Sequence, residues 1–252
     1  MDVTIQTAQE KNLTSKCKRI MKQLFRFGWE QALSCVFPVV IFASLALTQA
    51  ISLPFLPRYD WLLIIFLVMQ WGMVKSGLET RDELKVITLF HLIGLALEVF
   101  KVHMGSWSYP EDGYFKLFGV PLYSGFMYAS VASYLCQAWR RLDVELVKWP
   151  PFPLVGIVFW KSRVNYEIGG TRYRMPIVFS FVLIGFFIWI AENIATYFGA
   201  WEYPNQTEAW SLVHIGKISS WLLLVIVSFL IVATLKRMKG KSDTMGIGTT
   251  VP

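Results

Sequence analysis

The sequence predicts an all-α polytopic membrane protein of about six transmembrane helices, the last four forming two parallel helical-hairpin repeats. Three observations carry this. Of 252 residues, 55% are hydrophobic and 16% aromatic, which excludes disorder and exceeds what a soluble domain carries. Apolar runs long enough to span a bilayer recur along the chain. And the phrase EVFKVHMGSWSYP (Glu98–Pro110) returns as ENIATYFGAWEYP (Glu192–Pro204), with Glu, Gly, Trp, Tyr and Pro at the same spacing.

The elements follow in order. Residues 1–10 read as disordered. From Leu13 the apolar residues Leu13, Cys17, Ile20, Leu24 and Phe27 recur at helical spacing, and Lys11, Lys16, Lys18, Arg19, Lys22 and Arg26 fill the gaps. This is a basic amphipathic helix suited to an anionic leaflet, or a basic segment that only sets orientation. The candidate spans are 32–53, 61–78, 86–104, 119–139, 175–198 and 213–235. A seventh apolar run, PPFPLVGIVFW (150–160), is too short to cross and begins with three prolines among its first four residues. With 150–160 interfacial or re-entrant and both termini cytoplasmic, 20 of the 24 Lys and Arg lie inside, and only Arg58 and Lys116 fall in outer loops. The stretch KSRVNYEIGGTRYRMP, with Gly169-Gly170 between basic arms, predicts a cytoplasmic hairpin before the fifth helix. Its Lys161, Arg163, Arg172 and Arg174 are topology signals or lipid-phosphate contacts. The organisation expected is a cytoplasmic basic segment (1–28), an integral membrane domain (29–238) and a disordered cytoplasmic tail (239–252).

Composition also excludes. The net charge of +7 lies in loops between apolar segments, so the membrane takes precedence over nucleic acid as the partner. Cys17, Cys35 and Cys136 make no CxxC and read as free thiols. No cleavable signal peptide, P-loop, GxGxxG or nucleophile elbow is visible. His91, His103 and His214 form no ligand set with the carboxylates, so neither metal nor cofactor is expected.

The third span carries His91, Gly94, Glu98, Lys101 and Gly105 as one stripe. The glycines admit a neighbouring backbone, toward which the polar side chains turn. An ionisable residue at the centre of a span costs about 2.5–3.5 kcal/mol or more, so Glu98 is expected to pair with Lys101. In the fifth span Glu192 stands beside Asn193, with Thr196 a turn on, and its expected cation is Lys217. Two readings stay open. The Glu–Lys pairs hold helices together, or Glu98 and Glu192 are acid/base or cation-stabilising groups facing one pocket, tuned by Lys101 and Lys217. His91, Asn193, Thr196, Trp107, Tyr109, Trp201 and Tyr203 are then the candidate ligand-binding residues. The W-x-Y-P loops serve as interfacial anchors or as a lid.

The phrases HLIGLALEVFKVHMGSWSYP, FGVPLYSGFMYASVASY, RYRMPIVFSFVLIGFFIWIAENIATYFGAWEYP and SSWLLLVIVSFLIVATLK together resemble the bacterial integral membrane family catalogued as domain of unknown function 817. The resemblance covers about residues 30–238. It implies a multi-pass protein of the bacterial cytoplasmic membrane and no established activity. Family members carry a longer segment after the W-P-P stretch, with a His-containing motif, where this chain has only 150–160. Any His-dependent chemistry of longer relatives is then missing here. The order carboxylate helix, W-x-Y loop, then Phe118–Pro121 is also similar, over about 35 residues, to membrane enzymes of carotenoid synthesis. The expectation is a membrane protein that binds or transforms an isoprenoid or other lipid. A proton-linked small-solute transporter and a structural or assembly protein are the alternatives.

Overall fold

The computed structural model describes residues 2–147 and 162–246. In chain order its elements are α1 (Asp2–Ser34), α2 (Val36–Ala50), α3 (Arg58–Lys75), α4 (Arg81–His103), β1 (Lys116–Leu117), β2 (Val120–Pro121), α5 (Gly125–Arg141), β3 (Glu145–Val147), β4 (Arg163–Ile168), β5 (Thr171–Pro176), α6 (Ile177–Tyr197) and α7 (Lys217–Gly246). The chain is mostly helical and forms two compact units, Met1–Cys35 with Ala138–Ile177, and Val36–Gln137 with Val178–Pro252. The expected interfacial run 150–160 lies outside the described residues.

Among the described residues, three helices are long and apolar enough to cross a membrane: α4, α6 and the Lys217–Thr234 part of α7. A fourth is present if α1 and α2, bent where the chain breaks at Cys35, count as one span. This supports three to four of the six expected spans. The expected span 61–78 is α3, whose 18 residues begin at Arg58 and carry Asp60 and Lys75. The expected span 119–139 becomes helical only at Gly125, leaving 17 residues that end in Arg140 and Arg141. Before it, β1 and β2 pair antiparallel across Phe118-Gly119, both at positive φ (50° and 82°), a two-residue turn matched to strand twist. Pro121 then leads into a 3-10 turn at Leu122–Ser124. Helix α4 starts earlier than expected because Thr80 and Glu83 form a reciprocal capping box.

The core of the second unit is aromatic. Tyr59 lies against Tyr109 and Tyr123, and Phe66 against Tyr123 and Phe126, all with centroids 5.2–6.1 Å apart. Of the two glycines in the α4 stripe, Gly94 packs on α5, against the Tyr128 side chain rather than a backbone, while a Cβ on Gly105 would meet nothing within 4 Å. A Cβ on Gly94 would lie 2.5 Å from Tyr128 Cγ, and one on Gly125 would lie 2.7 Å from the His91 carbonyl oxygen.

In the first unit, α1 is helical from Asp2, through the stretch expected to be disordered. It leaves Met21, Leu24, Phe25 and Trp29 exposed beside its cations. Its Phe27 ring lies 6.0 Å from Tyr166, and Gln23 donates to Thr171. These partners belong to a three-stranded antiparallel sheet, β3-β4-β5. The β4–β5 pair is the expected hairpin, turning on Gly169 and Gly170 at positive φ. Arg172 stands 3.6 Å from each of Asp143, Glu145 and Glu167, so this cation is engaged within the hairpin's own unit. Helix α7 continues to Gly246, into the tail expected to be disordered.

Candidate functional site

The recurring phrase builds one local structure twice. At the end of α4, Gly105 takes φ 68°, and Ser106 N–H reaches back to Lys101 O while Gly105 N–H reaches Val102 O. At the end of α6, Gly199 takes φ 66°, with Ala200 N–H on Ala195 O and Gly199 N–H on Thr196 O. Both are left-handed glycine caps, and they explain the glycine seven residues after each Glu. Beyond the cap the chain runs extended. Residues two apart then share a face, so Trp107 and Tyr109 both point back at the helix just ended.

They converge on Glu98, which is 5% exposed. Trp107 Nε1 donates to Glu98 Oε2 at 2.8 Å and the Tyr109 hydroxyl to the same oxygen at 2.6 Å. The Tyr128 hydroxyl, from α5, donates to Oε1 at 2.9 Å. Glu192, 2% exposed, is held alike: the Tyr203 hydroxyl donates to Oε1 and Trp221 Nε1, from α7, to Oε2. Each carboxylate thus takes a donor from its own loop and an aromatic donor from the helix that follows.

The residue between Trp and Tyr faces the other way, and its backbone joins the two loops. Ser108 N–H donates to Glu202 O at 2.9 Å and Glu202 N–H to Ser108 O at 3.0 Å. The Trp107 and Tyr203 rings meet edge to face at 5.7 Å. Lys217 Nζ lies 4.7 Å from the Tyr203 ring centroid and 5.7 Å from that of Trp107, facing a donor ring of each carboxylate.

The expected ion pairs do not form. Among the described residues neither Glu98–Lys101 nor Glu192–Lys217 comes within salt-bridge distance. Lys101 is exposed, 5.9 Å from the Trp107 ring. Neutral N–H and O–H donors satisfy a buried carboxylate without the cost of burying an ammonium as well. Burial, then the neighbouring Glu98 carboxylate, holds the Tyr109 phenol well above the usual tyrosine range, and burial with Glu192 does the same for Tyr203. Both therefore stay donors across neutral pH.

The remaining predicted residues divide. Asn193 ties down the following loop, accepting from Val213 N–H at 2.9 Å and donating to Trp189 O at 2.8 Å. Thr196 accepts from Trp210 Nε1 at 3.2 Å. His91 lies away from the carboxylates, its ring 4.5 Å from Phe126 and its buried Nδ1 without a hydrogen-bond partner. Trp201 Nε1 does not take the role of Trp107 Nε1: it is buried without a partner of good geometry, and Trp221 serves Glu192 instead. No group of His, Cys, Asp and Glu among the described residues has the arrangement of a metal site.

Sequence reasoning missed the supports. Arg58 donates to Glu111 at 2.6 Å, to Thr48 Oγ1 at 3.1 Å, and to the carbonyls of Leu45, Phe198 and Gly199. It thereby joins the end of α2, the first loop and the capped end of α6. Lys116 donates to the carbonyls of Tyr109 and Glu111 at 3.0 and 2.9 Å. Buried Asp60 accepts from the N–H groups of Tyr114 and Phe115. The signal was present: Arg58 and Lys116 are the two cations that the charge count leaves outside. Tyr128 and Trp221 were also legible as aromatic donors near the start of the helix after each loop.

A cleft of about 340 Å³ opens among Thr48, Gln49, Ser52, Leu53, Arg58 and Trp61. An apolar groove of about 680 Å³ runs along Ala96, Val99, Phe100, Val102, His103 and Phe118.

A family model described as "Protein of unknown function (DUF817)" matches residues 23–158 and 152–229. The two matched pieces meet at 152–158, within the run where the sequence is shorter than expected of the family. The "Uncharacterized protein YoaT" of Bacillus subtilis (strain 168) is 70% identical over 254 residues, covering 90% of this chain and 96% of that protein. No solved structure matches.

Proposed function

The chain belongs to the DUF817 family of proteins of unknown function, and from that premise we propose that it is a six-span protein of the bacterial cytoplasmic membrane that binds, or transforms, an isoprenoid or other lipid. Glu98 and Glu192 are its acid–base or cation-stabilising groups, carried on two parallel helical hairpins, α4–α5 and α6–α7. The observation that carries this reading is the duplicated cluster of carboxylate, phenol and indole, joined through Ser108 and Glu202 and faced by Lys217. Ionisable residues within spans are costly and by default functional. The apolar groove on α4, lined from Ala96 to Phe118 and including Val99, the sequence neighbour of Glu98, suits a hydrocarbon chain. Both termini are cytoplasmic, the W-x-Y-P loops are outside, and the cations of α1 meet anionic lipid.

A second reading has its own support. Each carboxylate is closed in by aromatic donors from its own chain, which suits a clamp that shapes the outer loops and takes no ligand. The two readings part on Glu98→Gln with Glu192→Gln, purified in mild detergent and compared with wild type at equal folding. A discrete isoprenoid or lipid enriched on wild type and lost from the variant, seen by mass spectrometry of co-purifying lipids, supports the ligand site. A variant that loses melting temperature, with no lipid enriched on either protein, supports the clamp.

A further inference from the structure

The cleft between the end of α2 and the start of α3 takes no part in the aromatic clusters described above. None of its lining residues hydrogen-bonds to Glu98 or Glu192. Its volume of about 340 Å³ falls in the lower part of the range of small-molecule sites, about 300–1,000 Å³. Arg58 lines it, and its guanidinium is directed at five acceptors, Glu111 among them at 2.6 Å. The guanidinium therefore has no donor left for a ligand, and its charge is paired. Thr48 is engaged as well, donating to Ser44 O at 2.8 Å and accepting from Arg58 Nε at 3.1 Å.

The groups left free are neutral. Among the described residues the Gln49 amide and the Ser52 hydroxyl make no hydrogen bond, and no charged side chain other than Arg58 lines the cleft. Gln49 Oε1 and Arg58 Nη1 lie 3.7 and 3.5 Å from the position that a Cβ on Gly199 would take, so the amide stands beside the paired guanidinium. An amide and a hydroxyl each donate and accept, and a ligand that meets both must do the same. A phosphodiester only accepts and an ammonium only donates, whereas a polyhydroxylated ligand does both. Trp61 supplies an aromatic wall. Its ring pairs with no other ring among the described residues, and its Nε1 donates to Pro54 O at 3.1 Å, which ties it to the loop before α3. A flat ring beside a few donor–acceptor groups suits the C–H face of a pyranose.

We propose that this cleft binds one neutral sugar unit, its ring stacked on Trp61 and its hydroxyls on Gln49 and Ser52. The sugar is free or is the headgroup of a glycolipid. Ile51 and Phe55, 51% and 94% exposed in the loop that carries Ser52 and Leu53, give an acyl chain an apolar margin in the second case. The site is distinct from the lipid site proposed at Glu98 and Glu192, and neither reading depends on the other.

The test uses the full chain in a detergent without a sugar headgroup, since an alkyl glycoside would compete for the cleft. Melting temperature is followed against methyl glucosides and methyl galactosides of both anomers, and in phosphatidylcholine nanodiscs with and without glucosyl or galactosyl diacylglycerol. The expected result is a saturable rise with at least one of these probes, since a ligand that binds only the folded state stabilises it according to its occupancy. A sugar that is merely excluded from the protein surface raises the melting temperature without saturating, and alike in every variant. Gln49→Ala and Ser52→Ala replace exposed side chains that bond to nothing else described, so the fold is kept. Each is expected to move half-saturation about tenfold higher, the loss of one hydrogen bond. Trp61→Leu is expected to abolish the rise. A rise with the methyl glycosides assigns a free-sugar site, and a rise with the glycolipid alone assigns a headgroup site. No saturable response to any probe overturns the proposal. So does a saturable response with the same half-saturation in wild type and all three variants.

Discussion

At the scale of single residues, the W-x-Y-P loops of the second unit are held by side chains that make several hydrogen bonds at once. Arg58 is the clearest case, with five acceptors drawn from two helix ends, one side-chain hydroxyl and one loop carboxylate. Its planar fork reaches them together, whereas a lysine ammonium carries three donors from one point. Arg58→Lys is therefore expected to destabilise the protein by about 3 kcal/mol, as two or more charged hydrogen bonds are lost, read as a fall in melting temperature with charge unchanged. A second expectation concerns alkali. Tyr109 and Tyr203 have raised folded-state values, so their contribution is complete below the unfolded tyrosine value of about 10 and is lost as pH rises through the folded values. Melting temperature should hold from neutral pH to about 10 and fall above it, and Tyr109→Phe should flatten that fall. The sequence made Glu98, Glu192, Trp107, Tyr109 and Tyr203 legible because they recur at fixed spacing. The charge count set Arg58 apart but did not reveal its partners, because a lone arginine near a helix start reads the same whether it is solvated or fully bonded.

Among elements, the repeated Glu-to-Pro phrase and the polar stripe of α4 were legible, and the helix caps and the limits of α5 were not. Helix periodicity is local, so spacing exposes it, whereas Gly105 reads equally as a packing position and proves to be a left-handed cap. The hairpin at Lys116–Pro121 depends on Phe118 taking a positive φ beside Gly119, which hydrophobicity alone does not announce. The glycines differ in what they tolerate. A Cβ on Gly105 meets nothing within 4 Å, and one on Gly199 meets only ordinary contacts, so alanine at either pays only for the left-handed backbone, about 1–2 kcal/mol. Gly94 differs, since a Cβ would lie 2.5 Å from Tyr128 Cγ. Gly94→Ala is expected to cost more than either cap variant and to break the Tyr128–Glu98 bond. Thermal melts of the three variants, with tyrosine fluorescence followed alongside, rank them.

For the whole molecule, the arrangement in the membrane is the prediction to check. Cysteines placed at Asp112 and Glu208, with the native cysteines replaced, should react with a membrane-impermeant maleimide added to intact cells, and one at Thr171 only after lysis. Labelling of Thr171 in intact cells would reverse the proposed orientation. Composition was enough to predict apolar helices of membrane-crossing length, three of which stand among the described residues. It did not mark the limits of α3 and α5, which carry Asp60, Lys75, Arg140 and Arg141 near their ends and are not among the described helices long and apolar enough to cross. The Ser108–Glu202 pair reaches further than geometry, into the order of manufacture. The first loop leaves the ribosome well before the second. Until α6 and its loop have been made, the amide and carbonyl of Ser108 have no strand to meet, and Arg58 lacks the carbonyls of Phe198 and Gly199. The early half of the chain is thus a template left waiting, and its folding is completed only when the C-terminal segment arrives.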